Sequence, residues 1–438
     1  MKILQIAYYY QPMGGAGVQR ALKFSKYLPE FGVQPVVLAA LDKGYLSDAS
    51  LVAEIPVGVA VHRVEHQALM QRVLAWRARR SSSSASGATA PTSAPSALRA
   101  SLRDAALGAY AALQFPDDKA GWARRALNEA RRILRSERVD LILSSSPPVS
   151  AHRLGAQLAH EFGLPWVADF RDLWTANPGY AAPAWRRALD RRSEDGWLQR
   201  AAGIVTVTPS WQRLLAERAA CPVAFIPNGY DKADFIALAA ASRDDAVFRL
   251  VHTGSFYGPR DPAGLLAGVA EYLATASAAA RPLRLRLVGS MGARFEAGLA
   301  QFEQQHPGVI ERRPYVPHQQ ALAEMMAADA LLLVVGGGQG DAVAGWLPGK
   351  IFEYLRAAKP VLLLGDEAGD AATLIRRHAQ GWVVDEAAPA RIAAALRAMI
   401  EGPSPAVEAR AGVACFERRE LARQLAEFLA RCAQAGRQ

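Results

Sequence analysis

Twice along this chain an apolar run breaks at a glycine turn and gives way at once to apolar residues at helical spacing, and this repetition limits the possible folds more than any other feature. The first copy runs from Ile3 to Tyr10, turns through Gly14, Gly15 and Gly17, and continues with Leu22, Phe24, Leu28 and Phe31. The second runs from Phe248 to Gly254, crosses Ser255 to Pro262, and continues with Leu265, Leu266, Val269, Tyr272 and Leu273. Each reads as strand, turn, helix. Beyond each opening, short β-rich runs (VQPVVLAA, VDLILS, PWVADF and GIVTVT, then LRLRLVG, ALLLVV, PVLLLG and GWVV) alternate with helical stretches. Such alternation predicts α/β architecture with parallel sheets and crossover helices. We therefore expect two doubly wound Rossmann-like domains, 1–228 and 229–404, with a ligand cleft between them. Residues 405–438 are expected to form closing helices on the apolar positions Val413, Phe416, Leu421, Leu425 and Phe428, packing back toward the first domain.

The 438 residues suffice for two cores, and 51% hydrophobic with 21% charged residues is a globular balance that excludes disordered, collagenous and coiled-coil chains. The longest apolar runs, near Ala330–Gly338 and Pro360–Gly365, reach about half of the roughly 20 residues of a membrane-spanning helix. The opening MKILQIAYYYQP lacks the cleavage pattern of a secretory signal. Three cysteines, Cys221, Cys415 and Cys432, fit neither a disulfide framework nor a zinc knuckle. A cytoplasmic protein is expected. Its net charge of +10 favours anionic partners without choosing among phosphates, acidic lipid and nucleic acid. The arginines are scattered and no aromatic stacking platform accompanies them, so nucleic acid is not expected.

One segment departs from the pattern. Ser81–Ala97 holds seven serines, two prolines and no charge, the composition of a mobile loop. Just before it, Leu69, Val73, Leu74 and Trp76 interleave with Arg72, Arg77, Arg79 and Arg80. This basic amphipathic helix could rest on an anionic membrane surface, or simply pack its apolar stripe on the sheet.

In open parallel sheets ligands sit at the carboxyl ends of strands, where loops and helix N-termini offer backbone N–H groups. Four places qualify. Gly14, Gly15 and Gly17 let backbone approach a phosphate or sugar, or form a tight turn with no ligand; Arg20 stands where a dinucleotide fingerprint needs its third glycine, so no nicotinamide or flavin cofactor is expected. SSSPPVSAH and VADFRDLW put His152, Asp169, Arg171 and Asp172 on one rim, where they orient an acceptor hydroxyl or only pair with one another. In TGSFYGPRDP, Arg260 precedes a helix start at Asp261 and Pro262, a position suited to a diphosphate. In GGGQGDAVAGWLPGK followed by IFEYLRAAKPVLLL, Pro348 reads as the first helical position, Lys350 and Glu353 fall in the opening turns, and Lys359 and Pro360 close the helix. Glu353 then either meets the helix dipole or accepts from a ribose diol while Lys350 and Arg260 neutralise phosphates.

Taken in order, these motifs resemble the retaining glycosyltransferases of family 4, with the GT-B architecture of two facing Rossmann-like domains, and in particular the bacterial members that build cell-surface polysaccharides. QPMGGAGVQR, SSSPPVSAH, VADFRDLW, IVTVTPS, IPNGYD, TGSFYGPRDP, YVPHQQALAEMMAADALLL and PGKIFEYLRAAKPVL carry the likeness over nearly the whole chain. The resemblance implies a nucleotide-sugar donor held mainly by the second domain. Arg260 falls where the family has a Lys on the diphosphate, Glu353 where a Glu binds ribose, and Val316 in the loop that meets the base. Donor contacts would be Gly15, Gly254, Val316, Lys350 and Glu353, with Arg260 and Lys350 catalytic. His152, Asp169 and Arg171 would face a glycan or polyprenyl-linked acceptor, and no metal or other cofactor is implied.

Where many family members carry a second glutamate, eight positions before the ribose-binding one, this chain has Gly345. The transferred sugar would then be held by the backbone of Gly336 to Trp346, by Asp341 or by Lys350. The implied reaction is transfer with retention, in which Arg260 and Lys350 carry the leaving charge. Two alternatives share the architecture: a nucleotide-sugar epimerase, which needs no acceptor, and a non-catalytic nucleotide-sugar-binding scaffold, which Gly345 favours.

Overall fold

The computed structural model describes residues 1–66, 114–236, 246–256, 258, 260–336, 338, 340–379, 381–402 and 412–435. The basic helix expected at Leu69–Arg80 and the loop expected at Ser81–Ala97 lie outside the described residues.

Strands and helices alternate as the apolar runs require. β1 (Lys2–Ala7), β2 (Gln34–Leu41), β3 (Ala60–Glu65), β4 (Leu141–Ser146), β5 (Trp166–Phe170), β6 (Gly203–Thr206) and β7 (Val223–Phe225) form one sheet in the order β3-β2-β1-β4-β5-β6-β7. β8 (Phe248–Thr253), β9 (Leu283–Val288), β10 (Ile310–Arg313), β11 (Ala330–Gly336), β12 (Val361–Gly365) and β13 (Gly381–Val384) form the other in the order β10-β9-β8-β11-β12-β13. Pairing is parallel from β3 to β6 and throughout the second sheet. In each sheet the order reverses beside the first strand, between β1 and β4 and between β8 and β11. These are the topological switch points at which doubly wound folds bind ligands. The architecture is GT-B: two Rossmann-like parallel-sheet units.

The second sheet shows why continuous apolar runs were the right signal. Ala330, Leu332 and Val334 join one core cluster with Leu250, Leu285 and Leu362, while Leu331, Leu333 and Val335 join another with Val251, Val361 and Leu363. Alternate residues thus feed cores on opposite faces, and every position of β11 is buried. Each such leucine contributes about 1.5–3 kcal/mol by leaving water. The edge strand β3 has no fully buried residue, so its sequence carried no apolar run to read.

Two compact units divide the chain. The first comprises Met1–Thr206, Leu215–Ala224 and Leu425–Gln438, and the second Val207–Leu214 and Phe225–Gln424. The last described helix, Arg418–Ala435, therefore contributes to both. In the first unit, a Cβ on Gly203 would lie 2.5 Å from Cys432 Sγ and 2.8 Å from Phe428, so the absence of a side chain on β6 lets the end of this helix close on the sheet. Among the described residues, no helix is long and apolar enough to cross a membrane.

Candidate functional site

The strands around the second switch point end in glycines with left-handed backbone: Gly254 after β8 (φ 123°), Gly289 after β9 (φ 135°), Gly336 at the end of β11 (φ 94°) and Gly365 at the end of β12 (φ 155°). At Gly254 this freedom has a direct use. A Cβ there would stand 3.0 Å from Lys350 Nζ, and one on Gly289 would overlap the Gly254 carbonyl. The chain beyond β8 and β9 keeps its ladder, with Gly254 N–H donating to Val288 O at 2.7 Å, Phe256 N–H to Ser290 O at 3.1 Å, and the hydroxyls of Ser255 and Ser290 2.7 Å apart. Bare backbone at Gly254 and Gly289, flanked by the two small serine hydroxyls, results at the carboxyl edge.

Lys350 opens the helix Lys350–Ala357, whose N-cap is Gly349. The sequence had placed this start at Pro348 and the close at Lys359. The observed helix is shorter because Ala358 adopts a left-handed conformation (φ 54°), ending it two residues before Pro360, as the clash of a proline ring with a preceding helical residue favours. Lys350 Nζ donates to Thr253 O at 2.7 Å and to His252 Nε2 at 3.0 Å. An ammonium has no acceptor, so His252 Nε2 must accept, and Nδ1–H then donates to Leu332 O of β11 at 3.0 Å. Burial, then the neighbouring Lys350 charge, hold the His252 pKa well below its ordinary value, so the imidazole is neutral. Burial and then the Arg260 charge pull Lys350 well below the ordinary lysine range, opposed by Glu353. Tyr354 completes the stitching, its hydroxyl lying 3.2 Å from Thr253 N and 3.2 Å from Leu332 O.

Arg260 stands where the chain leaves β8 for the helix Ala263–Thr275, half-buried and close enough to bias both Lys350 and His252. That helix starts two residues after the expected Asp261, which serves its entry instead, Oδ1 accepting from Ala263 N at 2.8 Å. Glu353 lies in the first turn of its helix, and its Oε1 accepts from His318 Nε2 at 2.8 Å. His318 opens the helix His318–Ala327, two residues beyond the half-buried Val316. The structure thus gathers Gly254, Arg260, Lys350, Glu353 and Val316 along one edge of one sheet. The sequence missed His252 and His318. A histidine in the β8 run two residues after Leu250 signals an inward-facing polar group that needs a partner. His318 gave no signal.

Trp211 was also missed. It is 3% exposed, donates from Nε1 to Ala342 O at 2.9 Å, and occupies the space that any side chain at Gly345 would need. Its helix, Pro209–Ala216, is held at its start by Asp370, which accepts from Ser210 N and Ser210 Oγ at 3.0 Å each.

On the first unit, Gly15 caps the helix Ala16–Tyr27 with φ 86°, and nothing lies within 4 Å of where its Cβ would be. The other three candidates there are built into the fold rather than presented at its surface. His152 is wholly buried, its Nδ1 2.8 Å from Ser144 Oγ and its ring centroid 4.4 Å from that of Phe170; burial pushes its pKa down to about 3. Asp169 receives Arg20 through Nε at 3.1 Å to each oxygen and Nη2 at 2.9 Å, plus Ser145 Oγ at 2.8 Å, with both partners buried. Arg171 donates to the carbonyls of Ser146, Pro147 and Gly17, fastening the exit of β4 to the glycine turn. As placed, His152 reaches no ligand, and Asp169 is satisfied by protein groups.

Residues 94–234 match the family model described as Glycosyltransferase Family 4. No curated protein sequence matches the chain. Among solved structures, the trehalose-6-phosphate phosphatase N-terminal domain of Candida albicans is similar at 14% identity and TM-score 0.63, covering 99% of this chain and 96% of its own. HepE of Anabaena in complex with UDP and glucose is similar at 15% identity and TM-score 0.59, covering 98% and 100%. The UDP-GlcNAc 2-epimerase of Methanocaldococcus jannaschii is similar at 10% identity and TM-score 0.54, covering 98% and 100%.

Proposed function

We propose that the protein transfers a sugar, with retention, from a nucleotide-sugar donor to a glycan or polyprenyl-linked acceptor in polysaccharide synthesis. One observation carries this reading: two cations, Lys350 and Arg260, and a helix-start carboxylate, Glu353, share the glycine-edged switch point of the second sheet. Two of the three Lys350 N–H bonds are spent on His252 and Thr253, and the third is left for a phosphate oxygen. Glu353 gives Oε1 to His318 and keeps Oε2 for a ribose hydroxyl, while the backbone at Val316, joined to Glu353 through His318, meets the base.

The acceptor hydroxyl attacks the anomeric carbon from the face that the nucleoside diphosphate leaves, and the leaving phosphate oxygen takes its proton. Lys350 and Arg260 carry the charge that develops there, so the step asks for no metal and no protein base. Gly15 offers bare backbone to the ligand. Arg171, and behind it Asp169 and His152, hold the first-unit rim in shape. Family-model similarity over residues 94–234 and the nucleotide and sugar in the HepE structure support the donor class.

The test is a thermal-shift panel of UDP, GDP, ADP and dTDP sugars, headed by UDP-glucose, on wild type and Glu353→Ala, followed by product analysis with membrane extract. One donor base stabilising only the wild type, with sugar appearing on an acceptor, supports transfer. A free epimer formed without acceptor would replace the reading with the epimerase; no shift with any donor would overturn it.

A further inference from the structure

We propose that the outer face of the helix Ala184–Leu198 docks on an anionic membrane surface. Trp185 and Leu189 are 59% and 47% exposed, two of the largest apolar side chains left in solvent among the described residues. With exposed Ala188 and Arg192 they occupy positions i, i+3, i+4 and i+7, one stripe opposite the face that buries Arg186, Asp190, Glu194 and Trp197. Exposed Pro183 and Ala184 extend the apolar surface at the start of the helix.

The occupant follows from charge. All three acids of this helix are committed inward or sideways: Asp190 to Arg186 at 2.8 Å, and Glu194 and Asp195 to Arg218 at 2.7 and 2.6 Å. Arg187, Arg191 and Arg192 are exposed, and among the described residues Arg191 and Arg192 make no ion pair. An indole and a leucine flanked by arginines, with no carboxylate left over, match the boundary between acyl chains and acidic headgroups, where apolar insertion and headgroup attraction add. A protein partner would have to supply an acidic ring around an apolar pocket, which a lipid surface offers without any special shape. This inference stands apart from the transferase reading, since vesicle binding and donor binding are measured separately.

The experiment is sedimentation of the full chain with vesicles of phosphatidylcholine alone or mixed with phosphatidylglycerol. Three proteins are compared: wild type, Trp185→Ala/Leu189→Ala and Arg191→Glu/Arg192→Glu. Wild type should bind the acidic vesicles at low salt and release them at high salt. Each double variant should lose roughly tenfold or more in binding while keeping wild-type melting temperature and donor response. No binding by wild type, equal binding to neutral vesicles, or variants that bind as wild type would overturn the proposal. Self-association without vesicles, abolished by Trp185→Ala/Leu189→Ala, would assign the face to a second copy instead.

Discussion

Lys350 Nζ lies 3.0 Å from His252 Nε2, and after burial itself the lysine charge is the main influence that keeps this imidazole neutral. The lysine needs an acceptor, the buried imidazole must stay neutral to be one, and the carbonyl of Leu332 fixes the tautomer that makes it so. Both hydrogen-bond acceptors of this ammonium, His252 Nε2 and Thr253 O, are neutral, so neither cancels its charge toward an incoming anion.

That arrangement makes donor affinity pH-dependent at the alkaline end. Burial and Arg260 hold the Lys350 pKa below its ordinary 10.5, so the ammonium is lost on raising pH earlier than in a solvated lysine. Affinity for a nucleoside diphosphate should be full below that pKa and fall through it. Calorimetric titrations at increasing pH should show the decline in wild type and not in Lys350→Arg, whose guanidinium stays charged. Lys350→Ala and Arg260→Ala should each lower turnover about a hundredfold.

Gly254→Ala should damage the same site without replacing a charged residue. At φ 123° an alanine is strained by roughly 1–3 kcal/mol, and its Cβ would crowd Lys350 Nζ at 3.0 Å. Donor affinity should fall several-fold along with melting temperature, whereas Gly298→Ala, mid-helix with nothing within 4 Å of its Cβ, should leave donor affinity unchanged and raise the melting temperature slightly.

Asp169 and Arg20 should behave as a structural pair. Removing one partner of a buried, bidentate ion pair strands the other, so Asp169→Leu or Arg20→Met should cost about 3–5 kcal/mol in chemical denaturation. The double variant should be less destabilised than the sum of the two. Additive losses would mean that the pair is not the unit of stability.

Trp211 and Gly345 should be coupled. A Cβ at position 345 overlaps the indole, so Gly345→Ala should destabilise by about 1–3 kcal/mol in wild type and much less in a Trp211→Ala background. Denaturation of the four proteins gives the coupling directly.

Buried neutral His152 should make the fold acid-sensitive. Its pKa is about 3 in the folded chain against 6.5 ordinarily, so between those values the unfolded chain binds the extra proton and stability falls as pH falls. His152→Leu should flatten that part of the stability-versus-pH profile, an effect of at most a few kcal/mol.

Much of the fold could be read from the sequence because the parallel strands are buried on both faces, and such strands spell continuous apolar runs like ALLLVV and PVLLLG. β3, β7 and β10 escaped, being short or edge strands with at most partial burial. On the second unit the candidate residues were legible because glycines and charges placed after strands have few purposes there. On the first unit the same rule led to Asp169 and His152, and the structure gives Asp169 to Arg20 and His152 to Ser144. Those partners lie 149 and 8 residues away in sequence, and no local pattern announces a long-range ion pair. Gly345 was legible as an anomaly but not as a consequence, since its cause, Trp211, sits over a hundred residues earlier on another helix.

The edge from Gly254 through Ser290 is held together mainly by main-chain hydrogen bonds, and main chain is the one part of a protein that substitution leaves in place. A surface of this kind asks of the sequence only that its glycines persist and that a few charges remain at helix starts. Random mutagenesis of this chain should therefore meet a sharply uneven landscape around the second sheet: tolerant stretches interrupted by isolated positions, Gly289 foremost, where an added methyl group would overlap backbone, and Gly254, where it is strained.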